Sequence, residues 1–451
     1  MLRRTNSGAR SGAEPTFGPE WSVPPTFNFA RDVVDGYGDD AFRRALTYVG
    51  ADGTIDRRTL RDIARESVRW CHLLEASEPE PGARVVIAIG ASSTWVSAIV
   101  GAIRCGLVPV PVDPSLEPAE LARRVQAVEA SIVVINGGSS PQELRQELRR
   151  TNKNSDAPLV VTLDEAEWEL LRAFPQRPFS DPQSATPAVI LFTDGRTGRA
   201  EPVVHSHAAT FAAQATTRAW LGVRPGDIVC CGAHAGTITA VWQSIFGPLA
   251  AGAEVLIVGS DLEPAERGLM LERFAPTILV DTPSGHSRLL DQLERGGTRL
   301  PRLRLAGSTG AQLDASLAER FRVVTGAPLL NAYTTTEMGP IIAQTVGSDA
   351  PAGSLGSALP GHIVWPIDAT GAVVPPGAPG DLALYGRPPS LFRGYWPDVL
   401  TLDATEEGWW SLTGDRGSYD ERGAFWLDAE PIARAHHEQA TESVGSHRRT
   451  A

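Results

Sequence analysis

The chain has 451 residues, 42% apolar and 21% charged, enough for two or three domain-sized units with real cores. Its formal net charge of −12 implies no broad basic surface for nucleic acid or anionic membranes. Of its 41 Lys and Arg residues only Lys153 is lysine, so Schiff-base or phosphate-gripping lysine chemistry has one residue to draw on.

Residues 1–20 are rich in Gly, Ser, Arg and Pro and predict a loose arm. From Asp56 the apolar positions Leu60, Ile63, Ala64, Val68 and Cys71 recur at helical spacing. Arg84 to Gly90 reads as a strand buried on both faces. Trp95–Cys105 follows as a helix, Val108–Val112 as a strand, Pro118–Val128 as a helix and Ile132–Ile135 as a strand. This alternation predicts a doubly wound α/β fold. It resumes at Ala188–Phe192, continues through a helix near Ala208–Trp220, and runs to about residue 345. The expected units are therefore an α/β core over 21–345, with two sheet subdomains meeting near 175–187, and a small β-rich subdomain over 346–432. In the latter, Ile363–Ile367, Asp381–Leu384 and Ala424–Leu427 are separated by Pro-Gly turns. A polar tail occupies 433–451.

No apolar run approaches the roughly 20 residues that span a bilayer, and no apolar segment follows the Arg pair at the start, so no export signal is expected. Cys71, Cys105, Cys230 and Cys231 have neither metal nor disulfide spacing, which points to buried thiols in a reducing compartment, the cytoplasm by default.

Thr193-Asp194-Gly195-Arg196-Thr197-Gly198-Arg199 follows an expected buried strand. Such a loop can turn backbone N–H groups onto a phosphate; taken alone, it reads equally as a surface turn using two glycines. Two further stretches stand downstream. Asn331-Ala332-Tyr333-Thr334-Thr335-Thr336-Glu337-Met338-Gly339 follows an apolar strand, and Ser411-Leu412-Thr413-Gly414-Asp415-Arg416-Gly417 precedes Asp420-Glu421-Arg422-Gly423. In this order, the three resemble the AMP-binding motifs of the adenylate-forming acyl-CoA synthetase superfamily, closest to its medium-chain acyl-CoA synthetase branch. Matches extend from Phe27 to Leu427, through Ser354-Leu355-Gly356, Pro360-Gly361, Pro375-Pro376-Gly377 and Leu391-Phe392-Arg393-Gly394-Tyr395.

The resemblance implies a two-step acid–thiol ligase: a carboxylate attacks the α-phosphate of ATP, and coenzyme A then displaces AMP from the acyl-adenylate. It assigns the phosphate loop to Thr193, Gly195, Arg196, Thr197 and Gly198, and a nucleotide contact to Gly310. It assigns adenine stacking to Tyr333, the α-phosphate to Thr336, Mg2+ to Glu337 and the ribose hydroxyls to Asp415. His205 and His207 would lie near the acyl and phosphate sites, with His207 in the catalytic set beside Thr336 and Glu337. Two His at that spacing lack a third metal ligand.

The departures bear on catalysis. The family loop reads Thr-Ser-Gly-Thr-Thr-Gly-x-Pro-Lys, whereas this chain has Asp194, Arg196, Ala200 and Glu201 at the second, fourth, eighth and ninth positions. A carboxylate about 4 Å from a like charge costs roughly 4 kcal/mol at an effective dielectric near 20. Arg196 could offset one of the two carboxylates. Ala311 stands for a Glu, Thr334 for a Gly, Thr237 for the acyl-gate Trp and His234 for an Asp. Beyond Phe425-Trp426-Leu427 the hinge Arg position holds Glu430, and the expected C-terminal lid with its Lys is not recognisable in the sequence. The resemblance therefore implies a carboxylic acid and an adenine nucleotide (ATP or AMP) as partners. Catalysis would be impaired or would depend on a separate lid-domain or carrier protein, and coenzyme A would lack the lid's tunnel. The alternative is a non-catalytic AMP- or acyl-adenylate-binding regulatory or scaffold protein.

Overall fold

A computed structural model describes residues 21–136, 141–151, 157–163, 180–194, 199–260, 262–297, 299–399 and 410–428. The expected arm (1–20), Lys153 and the expected tail (433–451) lie outside them. Among the described residues the strands form four sheets. The largest runs Ser357–Ala358, Gly339–Ala343, Leu329–Thr335, Leu305–Ser308, Ile278–Asp281, Ile228–Cys231, Glu254–Val258, Arg44–Val49 and Ile55–Thr59 in spatial order. Its centre, from Leu329–Thr335 to Arg44–Val49, is parallel, and antiparallel strands close both edges. A second, parallel sheet orders Val108–Pro111, Arg84–Ala88, Ile132–Asn136 and Leu159–Leu163. Apolar runs such as Val85-Val86-Ile87 suit strands with helices on both faces.

One core joins these two sheets. Val85 and Ile87 share a buried cluster with Trp95 and Ile99 of helix Ser93–Arg104, with Val189 and Leu191, and with Trp242, Phe246 and Val255. Helices Leu60–Glu75 and Ser93–Arg104 approach very closely at Gly101, where a Cβ would lie 2.8 Å from the Ser67 carbonyl. Only a residue without a Cβ permits that contact. Buried Arg104 also pairs with Asp35 at 2.8 Å.

Helical periodicity misreads one segment. Ile55–Thr59 is a strand, antiparallel to Arg44–Val49, and the helix begins at Leu60 behind a Thr59–Asp62 capping box. Cross-strand pairing outweighs the local pattern there. The β-rich end forms a four-stranded antiparallel sheet of Ile363–Ile367, Gly380–Tyr385, Trp410–Tyr419 and Phe425–Leu427. Ser357–Ala358 still belongs to the large sheet. Among the described residues no helix is long and apolar enough to cross a membrane.

Candidate nucleotide and acyl site

Pro187–Phe192 and Pro202–Ser206 form an antiparallel hairpin whose connection is the Thr/Gly loop. The Thr193 N–H donates to the Glu201 carbonyl at 3.0 Å, and the Glu201 N–H donates to Thr193 Oγ1 at 3.0 Å. These two bonds pin the loop's mouth. Asp194 is exposed and Glu201 half-buried at that mouth. Gly195, Arg196, Thr197 and Gly198 lie outside the described residues.

Leu329–Thr335 ends at the crest of the parallel strands, the usual place for ligands in open α/β sheets. A turn over 336–338 follows, and Gly339 (φ +68°) starts the return strand. His205 Nε2–H donates to the Thr336 carbonyl at 2.7 Å, which leaves its buried Nδ1 without a partner. Burial holds the His205 pKa down near 4, so the ring is neutral at neutral pH. Thr336 is thereby held from behind by the hairpin.

Glu337 is buried and also held twice. Tyr395 Oη donates to its Oε1 at 2.9 Å, and the Phe392 N–H donates to its carbonyl at 2.7 Å. The 392–396 segment runs beside the hairpin, with Arg393 N–H on the Val204 carbonyl and Trp396 N–H on the Pro202 carbonyl. Tyr395 thus ties the Thr/Gly hairpin to the Glu337 turn. Its role escaped sequence reasoning, although its Phe-Arg-Gly-Tyr motif was visible.

Tyr333 Oη donates to Asp415 Oδ2 at 2.6 Å. The phenol is 7% exposed and packs with Met338, Ile341, Leu355 and Phe425. Burial, then the Asp415 charge, raises its pKa well above the ordinary value. Asp415 reaches this partner because its strand is irregular. Pairing steps from Asp381–Arg416 to Ala383–Leu412, so Leu382 faces three residues, Thr413 to Asp415. Gly414 adopts φ +85°, and the Asp415 N–H turns back to Thr413 Oγ1 at 3.2 Å. A bulge of this kind re-aims a side chain.

Gly310 (φ +86°) follows the crest strand Leu305–Ser308. A Cβ there would meet only Thr282 Cγ2, at 3.6 Å. His207 opens helix His207–Leu221; it is buried, its pKa is held near 4 by burial, and its Nδ1 has no partner. No hydrogen bond joins it to Thr336 or Glu337 among the described residues. His234 is exposed, 3.6 Å from Asp113, and Thr237 caps a short helix through Ala240 N–H. All four cysteines are free, and burial pushes the Cys230 and Cys231 thiols up to about 11 and about 12.

Among the described residues no three His, Cys, Asp or Glu side chains gather as a metal site. One buried carboxylate, Glu337, fits Mg2+ in its usual manner, through few protein oxygens with phosphate and water completing the shell.

The turn carrying Thr336 and Glu337 and the bulged Asp415 strand thus meet at the crest of an α/β fold. Residues 39–396 match the AMP-binding enzyme family, and the chain belongs to it. Its similarity falls on the medium-chain acyl-CoA synthetase branch of the adenylate-forming superfamily. The chain is 26% identical over 432 residues to the mitochondrial acyl-coenzyme A synthetase ACSM3 of Pongo abelii, covering 92% of this chain and 72% of that protein. It is 28% identical over 430 residues to ACSM5 of Mus musculus, covering 90% and 72%. Its fold is similar to that of the acyl-CoA synthetase of Brucella canis, with TM-score 0.80, 23% identity, and 91% and 76% of the two chains covered. The anthranilate CoA ligase AuaEII in complex with anthranoyl-AMP gives TM-score 0.79, 21% identity, and 90% and 77% coverage.

Proposed function

We propose that this chain is an AMP-forming acid–thiol ligase-like protein whose site binds an adenylate and a small carboxylic acid and grips ATP poorly. The observation that carries the reading is the bond between Tyr333 and Asp415, which unites two motif segments from different sheets. In this reading Asp415 accepts the ribose hydroxyls, Tyr333 borders the adenine and Thr336 meets the α-phosphate. Glu337, oriented by Tyr395, would hold Mg2+, which supplies charge neutralisation between phosphate oxygens when bound. Gly310 leaves room for the nucleotide beside the crest. In this reading Asp194 and Glu201, at the loop's mouth beside Thr193, oppose the β- and γ-phosphates. Neutral His207 offers no charge to the acid's carboxylate.

Full turnover in this reading calls for a lid domain or thiol-bearing carrier protein docking at the site. The free thiols suit a reducing compartment such as the cytoplasm. ATP–pyrophosphate exchange with a panel of carboxylic acids tests catalysis, and calorimetric titration with AMP tests the site. AMP binding without exchange supports an adenylate-binding protein with impaired catalysis. Exchange well above background sinks that impairment, and absence of AMP binding sinks the whole reading.

The second reading, an actively turning-over ligase, is favoured by the Thr336-Glu337 turn, held from two sides as a phosphate and cation site requires.

A further inference from the structure

Glu337 owes both of its bonds to one strap of chain. The Phe392 N–H donates to its carbonyl at 2.7 Å, and Tyr395 Oη donates to its Oε1 at 2.9 Å. The far end of the strap is fastened to the Thr/Gly hairpin. There the Val204 N–H donates to the Gly394 carbonyl at 3.0 Å and the Trp396 N–H to the Pro202 carbonyl at 2.9 Å. The near end starts at Ser390, directly after Pro388-Pro389, two residues without an N–H to tie the backbone down. The Leu391 N–H closes a local turn onto the Pro388 carbonyl at 2.9 Å. A side chain links this end to the rest of the fold: Ser390 Oγ lies 2.8 Å from Nε2 of His362, and both residues are buried.

The sense of that bond follows from the other ring nitrogen. His362 Nδ1 faces the Leu359 carbonyl at 3.3 Å, and a carbonyl only accepts, so Nδ1 carries the hydrogen. Burial holds the ring neutral at neutral pH, with its pKa near 4. Nε2 is then a bare acceptor, and the Ser390 hydroxyl donates to it. A ring fixed at Nδ1 thus fixes Ser390.

Trp21 holds that ring in turn. Its Nε1–H donates to the Gly361 carbonyl at 3.0 Å, and its ring meets His362 edge-on at 5.7 Å. The indole lies so close to Gly361 that a Cβ there would stand 2.5 Å from it. The segment bringing Trp21 is itself tied to the 180–184 connection. The Ser184 N–H donates to the Pro25 carbonyl at 2.9 Å, and the Phe27 N–H to the Pro182 carbonyl at 3.3 Å.

We propose that His362 is a positioning residue for Glu337: through Ser390 it sets the strap that aims the Glu337 carboxylate at a divalent cation, and Trp21 keeps the ring in place. The inference rests on the reading of Glu337 as the cation ligand. A bond at Oε1 limits how the carboxylate can turn, so a shift of the strap moves the oxygen offered to the cation.

The test uses the full chain loaded with AMP and titrated with Mn2+, an ion with the same preference for oxygen ligands as Mg2+. Binding is read from the loss of the free ion's paramagnetic resonance signal, and displacement by Mg2+ shows that the site accepts both. Glu337→Gln defines the part of the binding that passes through this carboxylate. Loss of the direct partner in Tyr395→Phe should weaken that part about tenfold, and Ser390→Ala, one bond further out, about threefold. Ser390→Thr, which keeps a hydroxyl, should retain it, and His362→Phe should match Ser390→Ala. Each variant should bind AMP in EDTA as the parent does, a result that general loosening of the fold would not give. Amide exchange over 391–396, measured without nucleotide or metal, should be faster in Ser390→Ala than in the parent. Melting curves establish folding, and Ser390→Ala alone decides if His362→Phe does not fold.

Parent-like Mn2+ affinity in Ser390→Ala overturns the inference. So does a loss of AMP affinity in EDTA alongside that of Mn2+, or Mn2+ binding by the parent that Glu337→Gln leaves unchanged. AMP binding by the parent leaves the adenylate reading intact in each case. Failure of the parent to bind AMP overturns both.

Discussion

The double substitution Asp194→Ser, Glu201→Lys tests the phosphate loop directly. Glu201 is fixed opposite Thr193 by one backbone bond and one bond to the Thr193 hydroxyl, each 3.0 Å, and Asp194 is the next residue. Both carboxylates therefore sit at the loop's mouth, and their repulsion of a triphosphate is worked for a separation of about 8 Å, one Debye length at physiological salt. At that distance, with an effective dielectric between about 20 and 80, each pair of unit charges repels by roughly 0.5–2 kcal/mol. ATP brings about two more negative charges than AMP, and the substitution removes one negative charge and reverses another. Taking the weak end because Asp194 is exposed, the change favours ATP over AMP by about 3 kcal/mol before screening. Physiological salt reduces that to about half, roughly tenfold in the ratio of dissociation constants. Calorimetric titration with AMP and with ATP, with and without Mg2+, reads the ratio in both proteins. The unaltered chain should prefer AMP, and the variant should lose that preference, more so at low salt. If the unaltered chain bound ATP tenfold tighter than AMP, or the ratio did not move in the variant, loop charge would not govern nucleotide choice.

Asp415→Asn keeps an acceptor for Tyr333 Oη but removes the charge, so AMP should bind about tenfold more weakly. A 2′,3′-dideoxy analogue of AMP, lacking the ribose hydroxyls, should be indifferent to the change; equal losses for both nucleotides would refute the ribose role. Gly356→Ala would place a Cβ 2.1 Å from the Ala343 carbonyl oxygen at φ +88°, which should cost at least about 3 kcal/mol or prevent folding; a melting curve like the parent's would contradict that packing. His205, His207 and His362 all have pKa values held near 4 by burial, below the ordinary 6.5. The unfolded chain therefore takes up protons first as pH falls, and stability should drop progressively from about pH 7 towards pH 4. Melting temperatures measured across that range check it, and a flat profile from pH 7 to pH 4.5 would count against buried neutral imidazoles.

The strand–helix alternation and the order of the three motif segments were legible because they are local. Continuous apolar runs such as Val85-Val86-Ile87 leave a strand little choice but burial on both faces, and Gly339 announces the turn that presents Thr336 and Glu337. The added charge at Asp194 and the reversed charge at Glu201 were equally plain, since charge is a property of the residue itself. The strand Ile55–Thr59 was not legible, because its spacing continues that of the following helix and only its partner Arg44–Val49 makes it a strand.

The chain's pattern, by itself, determined a doubly wound fold and a loop carrying two carboxylates, and the order of its motifs carried the resemblance to a family. Tertiary structure decided how the site is held. Tyr395 meets Glu337 from 58 residues away, Tyr333 meets Asp415 only because a bulge turns that strand, and Trp21 reaches Gly361 across 340 residues. Such contacts depend on where separate elements come to rest. Side chains distant in sequence acquire a distance only when the core between them is packed.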